Sequence, residues 1–67
     1  MNADVVFKSG RTVTVEDIKE IRQLRRGEFV ETVTPEKCFV IVAPTIFMGK
    51  QILTVSQESV ECVAFYD

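Results

Sequence analysis

The sequence predicts an α+β domain: a small antiparallel sheet or partly open barrel in the order β-β-α-β-β-β-β, with one short helix. Three observations carry that expectation. Thr12-Val13-Thr14-Val15 alternates polar and apolar residues, the period-two pattern of a half-buried strand. Val15, Ile18, Ile21 and Leu24 then recur every three residues, a spacing that strand alternation would scatter over two faces and a helix gathers on one. After Gly27 the chain returns to short β-branched and aromatic runs separated by turn residues.

The elements follow in order. Strands are expected over 4–8 and 11–15, joined through Ser9-Gly10, where glycine supplies the positive φ of a tight hairpin. The helix is expected over 15–26. Thr14 with Asp17 resembles a capping box, Glu16 and Asp17 suit the positive helix end, and Arg25 and Arg26 suit the negative end. Gly27 would then be the C′ residue. Strands over 29–33 and 38–43 flank a type I turn at Thr34-Pro35-Glu36-Lys37. Thr45-Ile46-Phe47 and Ile52-Leu53-Thr54-Val55 flank a second hairpin loop at 48–51. Ser56-Gln57-Glu58-Ser59 reads as one helical or 3₁₀ turn that Ser56 is able to cap, and the last strand runs from Val60 to about Tyr66.

Size and composition narrow the function classes. Sixty-seven residues make one domain, over 1–67, and a chain this short hides only about 60% of its unfolded surface. Small domains offset that shortfall with disulfides, a metal or a partner chain. The two cysteines, Cys38 and Cys62, both lie in apolar runs and read as reduced, buried small hydrophobes, with a bridge between neighbouring strands as the other reading. There is no histidine, no Cys-x-x-Cys and no EF-hand spacing, so neither a metal nor a cofactor is expected. Self-association is left as the source of extra burial.

Without histidine, Ser/His, Cys/His and metal–imidazole chemistry are all absent. Glu28 and Glu31 read as solvated face residues, and Gly10, Gly27 and Gly49 are isolated turn formers that make no phosphate loop. No catalytic residue is expected, and the chain does not read as an enzyme. A net charge of −2 gives no global basic field for nucleic acid. No signal-peptide pattern opens the sequence, and its longest apolar run, 39–44, is too short to cross a bilayer, so a cytoplasmic location without membrane contact is expected by elimination.

The strand faces supply the positive argument. Along 38–43 both faces are apolar, and 60–66 is mostly apolar on both, whereas a sheet with one wet side alternates cleanly. A helix of about twelve residues is roughly 18 Å long and covers part of one face only. Either the sheet curls into a barrel or a second copy covers the rest, a dimer being the commonest closed assembly. Ile46, Phe47, Met48 and Ile52 crowd one hairpin and are the candidate protein interface. A weaker candidate is the basic set Arg11, Arg22, Arg25 and Arg26, with Lys19, which a helix would gather as an anion platform for a nucleotide or nucleic acid. Its ordinary reading is a solvated helix face.

The strand–strand–helix opening resembles β-grasp domains, and the closing turn and strand, Ser56 to Tyr66, is similar to Sm-like barrels. In length and lack of motifs the chain also resembles short phage or prophage accessory proteins, which would imply the host cytoplasm. The leading expectation is a non-enzymatic protein-binding module, a small regulator or inhibitor acting as a homo-oligomer on another protein. The alternatives are an anion binder working through the arginines and a self-assembling structural subunit.

Overall fold

Val5 and Val13 face each other across the first strand pair, and the same inward side continues through Ala3 and Val15. In the computed structural model, which describes residues 1–31, 38–39 (by backbone) and 41–67, this pair opens an all-β architecture of two antiparallel sheets. Strands β1 (Asn2–Phe7), β2 (Thr12–Val15), β5 (Cys38–Phe39) and β8 (Val60–Tyr66) form one sheet in the order β2-β1-β8-β5. Strands β3 (Glu20–Arg25), β4 (Glu28–Glu31), β6 (Thr45–Met48) and β7 (Ile52–Val55) form the other, in the order β4-β3-β6-β7.

The expected helix over 15–26 is not there, and the α+β class gives way to all-β. Residues 20–25 are a strand paired on both sides, with Arg22 opposite Ile46 on β6 and opposite Glu31 on β4. The three-residue spacing arose from four residues that do not share one element. Val15 ends β2, Ile18 lies in the connection, and Ile21 and Leu24 sit on opposite faces of β3. Alternation in β3 is real, but its second inward position is polar: Gln23 is only 3% exposed. Its amide Nε2 donates to Thr45 Oγ1 (3.4 Å), its Oε1 accepts from Arg25 (2.8 Å), and Thr45 Oγ1 donates to the Ala43 carbonyl (2.8 Å). A buried amide is tolerated when it is bonded in this way.

The residues read as helix caps do other work. Thr14 donates to Asp4 across the β1–β2 pair (2.7 Å). Asp17 adopts a left-handed backbone (φ 51°), and its N–H donates to Asn2 Oδ1 (3.1 Å) as the chain leaves one sheet for the other. Ile18 and Lys19 then bond one strand end in each sheet, at the Met1 and Met48 carbonyls. Arg26 (φ 51°) and Gly27 (φ 84°) form a two-residue hairpin between β3 and β4, closed by the Arg25–Glu28 pair. Positive φ at both central positions is the type I′ requirement, which glycine meets freely and arginine does not.

Elsewhere the differences are smaller. The expected strand over 38–43 is described only at Cys38–Phe39, and 41–44 are not strand, with Ile41 buried and Val42 exposed. The expected turn at 34–37 lies outside the described residues. Residues 57–59 form a turn held by the Ser59 N–H to Ser56 carbonyl bond (3.3 Å), the i→i+3 spacing of a single 3₁₀-type turn. In β8 the register slips between Val6↔Cys62 and Phe7↔Val60, so Glu61 is the extra residue of a bulge. That explains how Val60, Val63 and Phe65 all reach the interior.

The core lies between the sheets. Ala3, Val5, Val15, Val60, Val63 and Phe65 from one sheet meet Ile21, Phe47 and Val55 from the other. The Phe47 and Phe65 rings stand 6.5 Å apart at 43°, within the range of favourable tilted aromatic pairs. Gly49 fits against the Glu16–Asp17 connection. A Cβ there would overlap the Glu16 carbonyl oxygen and lie 2.9 Å from that of Asp17.

Two substitutions test this reading. Arg26→Asn replaces a strained residue in a type I′ turn and is expected to raise unfolding free energy by up to about 1 kcal/mol in urea titration, because asparagine tolerates left-handed backbone. In a helix the same change would lower it. Gly49→Ala is expected to lower the transition midpoint, since backbone and not a flexible side chain blocks the new methyl group.

Candidate functional site

The second sheet turns Ile21, Gln23, Thr45, Phe47, Leu53 and Val55 inward, so pleating turns Glu20, Arg22, Leu24, Phe29, Glu31, Ile46, Met48, Ile52 and Thr54 outward. Cross-strand register arranges the outer set. Phe29 faces Leu24, Arg22 faces Ile46, and Met48 faces Ile52. Phe29, Leu24, Ile46, Met48 and Ile52 therefore form an apolar diagonal across all four strands, about 15 Å wide at the usual strand spacing. Ile52 is 68% exposed, more than any other large apolar residue among those described.

A polar corner bounds the diagonal. Arg22 Nε and its terminal nitrogen donate to the two Glu20 carboxylate oxygens at 3.0 and 3.1 Å, and Glu31 faces Arg22 across the β3–β4 pair. The bidentate bond to Glu20 holds the Arg22 guanidinium above its ordinary range, with the charges of Glu20 and Glu31 acting in the same direction. Exposed pairs of this kind add little stability. They do neutralise the arginine.

Of the expected interface residues, Ile46, Met48 and Ile52 lie on this face. Phe47 does not: it is fully buried and points into the core. An acidic substitution at Phe47 would strike folding and not contact. Leu24 and Phe29 join the face without having been expected there. Read with period two from Ile21, Leu24 falls on the side opposite the core, and that was the available signal.

The arginines do not assemble as a helix face would have gathered them. Arg22 and Arg25 point to opposite sides of β3, with Arg25 donating to Gln23. Arg26 sits in the β3–β4 turn and Arg11 in the β1–β2 connection of the other sheet, its carbonyl accepting from the Phe7 N–H (2.7 Å). Lys19 precedes β3. Of the cysteines, Cys62 is half-buried in β8, and the Cys38 backbone stands opposite Ala64. Among the described residues, no three His, Cys, Asp or Glu side chains converge on a point that could hold a metal, and no helix is long and apolar enough to cross a membrane.

The outer face of the first sheet carries a separate polar cluster. Tyr66 Oη and Thr14 Oγ1 both donate to Asp4 Oδ1, at 3.0 and 2.7 Å. No family model, curated protein or solved structure matches the chain, so function has to be argued from these surfaces.

The Asp4 cluster makes a pH prediction. The hydrogen bond to Asp4 raises the Tyr66 pKa above its ordinary 10.0, and partial desolvation and the Asp4 charge add to the shift. A folded-state pKa raised above the unfolded one means a contribution to stability that is complete below pH 10 and lost as pH rises through the folded value. Ultraviolet titration of the single tyrosine should give a more alkaline midpoint folded than in urea, and Asp4→Asn should bring the folded value down.

Proposed function

We propose that this chain is a non-catalytic protein-binding module that self-associates, and that the outer face of the β4-β3-β6-β7 sheet is its recognition surface. The apolar diagonal from Phe29 to Ile52 is the observation that carries the reading. Each sheet already has its inner face covered by the other, so these outward side chains play no part in closing the core. Phe29 and Ile52 are exposed and Leu24, Ile46 and Met48 half-buried, and leaving that area in water forgoes roughly 25 cal/mol for each Å² that a partner could cover. An apolar centre beside a polar corner is also how protein interfaces are commonly organised.

Light scattering across a dilution series tests the proposal. The protein is expected to show at least twice the single-chain mass at high concentration and to dissociate on dilution. Ile52→Asp, at a position too exposed to disturb the core, should weaken association at least tenfold, since burying an unpaired carboxylate opposes contact. A single-chain mass at every concentration, or a mass unaffected by Ile52→Asp, would contradict it.

A further inference from the structure

The strand order leaves edges, and an edge is a row of backbone donors and acceptors that a further strand can use. The edges differ in how they are protected. On β2, the Thr14 carbonyl accepts from the Gln51 side chain (3.1 Å), and just beyond it the Glu16 carbonyl accepts from the Lys50 N–H (2.9 Å). On β4, Glu28 and Glu31 place a carboxylate at each end. The described part of β5 is two residues long. On β7, by contrast, Ile52–Val55 carries no charge, no proline and no bulge, and among the described residues only β6 pairs with it. The bonds towards β2 stop at Lys50 and Gln51.

We propose that β7 pairs antiparallel with the β7 of a second copy, about a two-fold axis through Leu53, joining the two β4-β3-β6-β7 sheets into one continuous sheet. This rests on the self-association proposed above and places its contact at the β7 edge, the Ile52 end of the diagonal, so that the outer faces of the two copies join into one and stay open to another protein. Three features favour a second copy over a different protein. A chain that meets itself brings its own charges into register, and from Gln51 to Gln57 the sequence Gln-Ile-Leu-Thr-Val-Ser-Gln has none to repel. A two-fold axis normal to the sheet keeps each face on its own side. With the axis at Leu53, outward Ile52 therefore meets the partner's outward Thr54, and inward Leu53 meets its own counterpart. Leu53 packs on the core yet remains half-buried, and Ile52 is 68% exposed, so the register covers the two apolar residues that β7 leaves incomplete.

Directly opposed residues in an antiparallel pair have Cα atoms about 4.5–5.5 Å apart, within disulfide reach, whereas two copies of residue 52 would lie about 8 Å apart in this register. The full chain carrying Leu53→Cys should cross-link to a dimer under mild oxidation, with the bond mapped by peptide mass spectrometry to position 53, and Ile52→Cys should not. Thr54→Lys should weaken dimerisation at least tenfold by light scattering, while Thr12→Lys, the same change at an exposed position of β2 in the other sheet, should leave it within about threefold. A chain that remains dimeric while L53C fails to cross-link, or a dimer that Thr54→Lys weakens no more than Thr12→Lys does, would overturn edge pairing and leave face-mediated association standing. A monomer at all concentrations would overturn both.

Discussion

Everything in this fold depends on one shared apolar layer between two small sheets, with Phe47 of β6 meeting Phe65 of β8 at its centre. Apart, each sheet would leave its apolar inner face in water, at a cost of roughly 25 cal/mol for each Å² exposed. The chain crosses between the sheets after β2, between β4 and β5, and again before β6 and β8, so its hairpins are stitched together through that layer. The crossing after β2 is specified in detail. Asp17 turns left-handed, Asn2 holds its N–H, and Gly49 leaves room for the connection to pass.

Much of this order was legible in the sequence. The β1–β2 hairpin, the Thr45–Met48 and Ile52–Val55 pair, and the final strand from Val60 to Tyr66 all follow from period two and turn residues. The segment from Val15 to Leu24 was not, for a physical reason. Local periodicity assumes that apolar residues mark the inner face. In β3, however, one inner position is Gln23, bonded to Thr45 from a strand twenty-two residues further on. That partner is invisible locally. Without it, Ile21 and Leu24 join Ile18 in a false helical stripe, and the arginines that belong to opposite strand faces and a type I′ turn look like a helix end.

The same error shaped the expected site. A helix covering part of one sheet face leaves the rest in need of shelter, and that shortage implies a partner. The second sheet supplies the shelter, so the surplus apolar area shrinks to one face and one edge. What remains is better defined. Ile46, Met48 and Ile52 keep the surface positions that put them forward as contacts, Phe47 becomes the centre of the core, and Leu24 and Phe29 complete the diagonal. The arginines lose their common face, and Arg22 lies bound to Glu20.

The pairing of β3 between β4 and β6 decides whether both the layer and the outer face exist. Nuclear Overhauser measurements on the labelled protein address it directly. The fold predicts backbone cross-strand contacts linking Gln23 with Thr45 and Leu24 with Phe29, together with strong sequential Hα–HN contacts through residues 20–25. Successive HN–HN and Hα–HN(i, i+3) contacts over that segment, with the cross-strand set missing, would restore a helix and contradict the account.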